Sequence, residues 1–178
     1  MSTHTRRKLT YQDYVCFPDD GKRHEVIGGV HFVNPAPSTY HQYVSRRLQF
    51  QLYSSIELAG LGSVINAPVE VQLTDHDIVQ PDLVIVLKDN RIITPSKVKG
   101  VPEHIVEIIS PSSEKNDRSL KRSLYEQAGV SEYWIVDPFE HSIMQLVLKA
   151  GSYAEQSSAP KLTVTYLPNI SVDLEQVW

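Results

Sequence analysis

The chain has 178 residues, 41% of them hydrophobic and 21% charged, the composition of a single soluble globular domain long enough to bury a real core. Lys plus Arg number 17 and Asp plus Glu 21, a formal charge of −4. This balance argues against tight non-specific coating of nucleic acid, but leaves room for a nuclease, whose metal-binding acids add negative charge. The one cysteine, Cys16, allows no intramolecular disulfide and fits a reducing compartment. No window approaches the ~20 apolar residues of a membrane span, and the polar, basic start has no apolar signal region, so a cytoplasmic protein without membrane contact is expected.

Residues 1–8 read as a flexible tail and 9–178 as one domain. Thr10 is placed to cap a short helix from Tyr11 to Cys16, ended by the turn Pro18-Asp19-Asp20-Gly21. Glu25–Ile27 and Val30–Val33 form a hairpin around Gly28-Gly29. Ser38 caps a long helix that reaches about Ala59 and stops at Gly60. Val44, Leu48, Leu52 and Ala59 share its apolar face, joined by His41, which reads as a structural histidine. Val64–Leu73 reads as one strand with Glu70 turned to solvent. After the turn Thr74–Asp77, strands cover 83–87 and 104–109 with a polar loop between them. Ser112 or Ser113 caps a helix to about Ala128, stopped by Gly129. Glu132–Val136, Ser142–Leu148 and Leu162–Tyr166 complete the sheet. The order predicts a single α/β domain, one mixed sheet flanked by helices.

The chemistry concentrates between Gln80 and Lys121. At 100° per residue with Asp117 at zero, Lys121 falls at about 40°, Leu124 at about 340° and Ala128 at about 20°. Asp117 and Lys121 therefore lie in the middle of the helix's apolar stripe, where a surface ion pair does not explain them. Glu107 interrupts the apolar run Ile105-Val106-Glu107-Ile108-Ile109. An acid between two hydrophobic strand faces marks a polar pocket, catalytic or metal-binding, or else a structural pair with an arginine. Asp82, after Pro81, gains weight beside Glu107, because paired carboxylates are what a hard divalent cation takes. Glu25 is a further candidate acid, open to a plain surface-turn reading. Cys16 has no evident base partner, and the remaining histidines show no zinc spacing.

These residues sit inside a longer series of motifs. It runs through Leu9-Thr10-Tyr11-Gln12-Asp13-Tyr14, His24-Glu25-Val26-Ile27, Pro35-Ala36-Pro37, Ala67-Pro68-Val69-Glu70-Val71, Gln80-Pro81-Asp82 and Val106-Glu107-Ile108-Ile109-Ser110-Pro111-Ser112. It ends with Gly129-Val130-Ser131-Glu132-Tyr133-Trp134-Ile135-Val136-Asp137-Pro138. In this the chain resembles the Uma2 family of restriction-endonuclease-like proteins, within the PD-(D/E)XK nuclease superfamily. The resemblance implies a restriction-endonuclease-like mixed sheet with helices on both sides. It implies a Mg²⁺ or Mn²⁺ site built from Asp82, Glu107 and the backbone carbonyl of Ile108. The superfamily's lysine normally follows the Glu by two positions, where this chain has Ile109, and in this family it moves to the helix as Lys121. Glu25 matches the family's early acid, and Asp117 would orient Lys121. The family often has Asp-Gly where this chain has Gly28-Gly29, a difference of turn chemistry. The expected activity is metal-dependent hydrolysis of phosphodiester bonds in nucleic acid, most of all DNA, with Arg46-Arg47 or Arg118 and Arg122 against the backbone. The alternative is a non-catalytic nuclease-like scaffold that assembles with partners, as a homodimer for example.

Overall fold

A computed structural model describes residues 7–111, 113–156 and 161–178. Residues 1–6 of the expected tail and the alternative cap Ser112 lie outside them.

Helix α1 (Tyr11–Tyr14) is a single turn, shorter than expected, whose Asp13 carboxylate accepts from the backbone N–H and hydroxyl of Thr10. The hairpin of β1 (Arg23–Ile27) and β2 (Val30–Asn34) turns on Gly28 and Gly29, both at positive φ (59° and 79°). Two consecutive left-handed residues favour glycine here. Helix α2 (Thr39–Leu52) starts at Ser38, whose hydroxyl accepts the His41 N–H. Instead of running to Ala59 as one α-helix it widens into a π-turn at Tyr53–Glu57. The wider turn carries Ile56 onto the buried stripe with Val44, Leu48 and Leu52, and leaves Ala59 exposed.

The expected strand 64–73 is two strands in two sheets, β3 (Gly62–Asn66) and β4 (Val71–Gln72). Pro68 has no N–H to continue the ladder, so the chain leaves the first sheet there. Glu70 is half-buried rather than turned to solvent. Short strands β5 (Ile78–Val79) and β7 (Val98–Lys99), too brief to show a period, flank β6 (Leu83–Leu87) in sequence. Then follow β8 (His104–Ile108), a π-turn (Asn116–Lys121), α3 (Arg122–Ala128), β9 (Glu132–Asp137), β10 (Ser142–Lys149) and β11 (Ser152–Gln156). Gly129 ends α3 at φ 89°, as its position suggested. The expected strand 162–166 is β12 (Lys161–Thr163), which among the described residues pairs with β13 (Ser171–Asp173) in a separate ribbon.

The expected single sheet is thus a six-stranded sheet, β11-β10-β9-β8-β6-β3, beside a five-stranded one, β2-β1-β5-β4-β7, and the ribbon. The main sheet is mixed, with β8 and β9 parallel and its other pairs antiparallel. Its central strands are covered on both faces, which is why β6 reads as an unbroken apolar run and β8, from Ile105 on, as one broken only by Glu107. Val106, Ile108, Leu83 and Ile85 pack with Val44, Leu48 and Leu52 of α2. Ile105, Ile109, Val84 and Tyr133 pack on the other side with Tyr125 of α3 and with Ile27, Val71, Val79 and Val98 of the smaller sheet. The helices flank the sheet on both sides, as expected.

His104 opens β8, fully buried, with its ring edge-on to Trp134 at 4.4 Å and its Nε2 without a partner among the described residues. Burial pushes its imidazole down to about 4. The unfolded chain takes up a proton near 6.5 that the folded chain refuses, so this group lowers stability as pH falls from 6.5 towards 4. His104→Leu is expected to be about 2–3 kcal/mol more stable relative to wild type at pH 4.5 than at pH 7.5. Urea denaturation at the two pH values measures it, and a pH-independent difference would refute it.

Candidate functional site

The register of the main sheet sets up the site. Leu83 pairs with Val106, so one step further along the antiparallel ladder Asp82 stands opposite Glu107. Residues opposite each other share a face, and here the two acids open a cavity of about 400 Å³. Arg23, His41, Asp82, Glu107, Asp117 and Lys121 line it, with Ile108 at its floor and Pro35-Ala36-Pro37, Tyr40 and Phe139 around it. Both acids are only 3% exposed.

Asp82 is held on every side. Its Oδ1 accepts from Arg23 Nη1 at 2.7 Å, and its Oδ2 accepts the Ile108 N–H at 2.8 Å and faces His41 Nε2 at 3.1 Å. Burial alone would raise this carboxyl. The bond and charge of His41, then Arg23 and the Ile108 N–H, outweigh burial and keep it below the usual carboxylate range. His41 Nε2 also meets the Ile108 carbonyl at 3.0 Å. One N–H is therefore shared between the two oxygens that the resemblance assigns to a metal.

Glu107 points from β8 towards α3. Its Oε1 accepts from Lys121 Nζ at 2.9 Å and from the Tyr125 hydroxyl at 2.8 Å. Burial raises it to about 8, with Lys121 opposing and the neighbouring acids adding to the rise. Lys121 is itself 3% exposed and meets Glu25 Oε1 at 3.0 Å and Asp117 Oδ1 at 3.6 Å. Burial works against its charge, but Glu107, Glu25 and Asp117 together hold the ammonium well above its ordinary value. Burial also raises Asp117, whose Oδ1 has no hydrogen-bond partner among the described residues.

Glu25 stands behind this group in β1. Its Oε1 accepts the Gln80 N–H at 2.8 Å and its Oε2 accepts from Asn34 at 2.7 Å. It is thus a tie between Lys121 and the Gln80-Pro81-Asp82 segment, and is no surface-turn residue. The structure gathers the five side chains expected from the sequence at one place: Glu25, Glu107 and Asp117 surround Lys121, and Asp82 lines the same cavity as Glu107, Asp117 and Lys121. His41, expected to be structural, lies against Asp82 and the Ile108 carbonyl. Arg23 and Tyr125 join the site from outside the sequence expectation. The two-residue period of β1 puts Arg23 on the face of Glu25, and Tyr125 follows Lys121 by one helical turn, so both signals were present.

The donors facing the cavity are oxygens of Asp82, Glu107 and Ile108, which suit a hard divalent cation in kind. Two further buried atoms, His41 Nδ1 and Asp117 Oδ1, have no hydrogen-bond partner among the described residues. Unsatisfied polar atoms at a cavity are accounted for by something polar entering it. Among the described residues no three His, Cys, Asp or Glu side chains already converge as a metal cage. Asp82 is bonded to Arg23 and Glu107 to Lys121.

No curated protein matches the chain. A crystal structure of a "putative nuclease belonging to DUF820" from Anabaena variabilis has the same fold, with a TM-score of 0.77 over 95% of this chain and 97% of that one, at 15% identity. Among the described residues no helix is long and apolar enough to cross a membrane. The pattern of the Uma2 family, described as "Putative restriction endonuclease", matches residues 11–175, and the chain belongs to that family.

Proposed function

We propose that the protein is a divalent-metal-dependent endonuclease that hydrolyses phosphodiester bonds in nucleic acid, DNA first. The observation that carries this reading is the placement of Asp82 opposite Glu107, one step beyond the β6–β8 ladder and lining one cavity, with buried Lys121 beside them. Family membership and the nuclease-like fold support it.

In this reading Asp82, Glu107 and the Ile108 carbonyl would hold Mg²⁺ or Mn²⁺. When bound, the ion supplies a Lewis acid for the phosphoryl oxygens and a water made more acidic. Lys121 keeps its proton among Glu107, Glu25 and Asp117, so it acts as a fixed positive charge that orients the attacking water and steadies the phosphate, and does not serve as the base. Asp117 and Glu25 fix where that ammonium sits. Arg23 and His41 hold the Asp82 carboxylate in place. The scaffold alternative shares the fold and differs in leaving the metal site unused.

Calorimetric titration with Mn²⁺ tests the first step without a known substrate. Wild type is expected to bind, and Glu107→Ala to lose at least about tenfold in affinity, the scale on which groups supporting a metal act. Supercoiled plasmid and oligonucleotides, incubated with Mg²⁺ and with chelator, then test cleavage. A wild type that binds no metal at millimolar concentration and cuts none of these substrates would move the weight to the scaffold.

A further inference from the structure

Helix α2 has two faces of opposite character. His41, Val44, Leu48 and Leu52 form the buried one. The other carries Tyr40, Tyr43, Arg46, Phe50 and, one step into the π-turn, Tyr53. At 100° per residue these span roughly 140° centred opposite the buried stripe, with Phe50 almost diametrically across from it. Phe50 is 70% exposed, and Tyr40, Tyr43 and Tyr53 about 40%. Four aromatic rings in water on one helix face mark a surface that something covers.

The charge of this face says what. No Asp or Glu occurs from Val26 to Ile56, in a chain whose net charge is −4. Both guanidiniums lie over the Tyr43 ring, Arg46 at 5.1 Å and Arg47 at 4.1 Å from its centroid. Arg47 is tied down by the Tyr43 hydroxyl and the Trp178 backbone oxygen, while Arg46 has no carboxylate partner among the described residues. Glu175 is the one acid lining the adjacent groove with Arg46, Arg47, Phe50 and Trp178. Interleaved rings and arginines on a helix that itself carries no acid suit a chain of stacking bases joined by phosphates. They suit a second copy poorly, because an isologous contact through this face would set Arg46 and Arg47 near their own copies.

The stripe also leads to the cavity. Tyr40 lines it, and so does Phe139, which is 65% exposed. From Tyr40 to Tyr53 the helix rises about 20 Å, the length of about six stacked nucleotides at 3.4 Å each. Asp82 and Glu107 lie 3% exposed within about 400 Å³, room for the backbone of one strand and not for a duplex. The geometry points to a single-stranded nucleic-acid track on α2, with bases on Tyr43, Phe50 and Tyr53 and phosphates at Arg46, feeding a strand past Tyr40 and Phe139 into the cavity. This rests on the nuclease reading and names the form of substrate that the same site takes.

Fluorescence anisotropy in EDTA separates binding from cleavage, with fluorescein-labelled dT20 and a 20-base-pair duplex as probes. The variants are Phe50→Ala, Tyr43→Ala and Arg46→Ala, all at exposed positions, with circular dichroism to confirm the fold. Wild type is expected to bind dT20 more tightly than duplex. Phe50→Ala and Tyr43→Ala should weaken dT20 by about tenfold each and duplex by less than about threefold, and Arg46→Ala should weaken both and flatten the salt dependence. Equal losses on the two probes for Phe50→Ala and Tyr43→Ala, or dT20 affinity untouched by all three variants, overturn the track. So does a wild-type dimer that Phe50→Ala dissociates while dT20 binding persists. If wild type cleaves DNA with Mg²⁺ yet the variants bind and cut as it does, the track falls and the nuclease reading stands. If wild type neither binds nor cuts either probe, both fall.

Discussion

Lys121→Met is expected to destabilise the protein by about 3–5 kcal/mol, the effect of breaking a buried charge network from one side. Methionine keeps most of the volume, so packing is not the cause. What remains is Glu107, Glu25 and Asp117, each at most 3% exposed, around a vanished ammonium. An exposed pair would lose only a few tenths of a kcal/mol. The pH dependence separates this cause from lost packing. Lys121 has a raised folded value, so its own contribution is complete below its ordinary 10.5 and fades only at more alkaline pH. Between pH 5.5 and 8 the acids therefore decide. Burial raises the Glu107 carboxyl from its ordinary 4.5 to about 8, so the folded state keeps a proton the unfolded chain releases, and stability falls as pH rises across that window. Removing Lys121 steepens this fall. The deficit should be larger at pH 8 than at pH 5.5, and Lys121→Met with Glu107→Gln should be less damaging than Lys121→Met alone. Urea unfolding gives all three values. A deficit below about 1 kcal/mol, or one that does not change with pH, would mean the network is not charged as drawn.

The same group shows what a sequence can reveal about a site. Glu107 stood out because an acid inside β8 contradicts its apolar neighbours, and Asp117 and Lys121 because they contradict the stripe of the helix that carries them. These conflicts between residue type and period survive any error in the exact helix. The turn across Asn116–Lys121 is in fact π, not α, yet residues four apart still share a face. Arg23 and His41 escaped for the opposite reason. Arg23 at a strand start and His41 on a helix look ordinary, and only the packing of β1 and α2 against the end of β6 turns them onto Asp82. The second sheet is hidden in the sequence on similar grounds. β4, β5 and β7 have two residues each, too few to show a period, and they exist because they pair with one another. The stripe of α2 was equally visible in sequence, but its outer face gains meaning only beside the cavity that Tyr40 reaches.

Under the proposed nuclease function, Asp82→Asn is expected to abolish cleavage, by about a thousandfold or more, while leaving a folded protein. The several kcal/mol that a bound metal would contribute to a phosphoryl transition state would depend on a charged oxygen at this position. Asparagine keeps the shape and an acceptor for the Ile108 N–H but removes the charge. The structural loss is smaller than at Lys121 because the partners left behind are not stranded. The Arg23 side chain is 19% exposed and can reach water, and His41 retains the Ile108 carbonyl as acceptor. The sign of the remaining effect is fixed. Asp82 has a depressed folded value, so it adds stability above about 4 and loses it as pH falls, and the variant should match wild type most closely in acid. The decisive comparison is Asp82→Asn beside Arg23→Gln. Arg23→Gln keeps the carboxylate and removes only one of its anchors, so Mn²⁺ affinity should survive within about tenfold. If both variants lose metal and activity alike while staying folded, Asp82 works through its ion pair with Arg23 and not as a metal-facing acid. If Asp82→Asn cuts DNA as fast as wild type, the cavity is not the seat of the reaction.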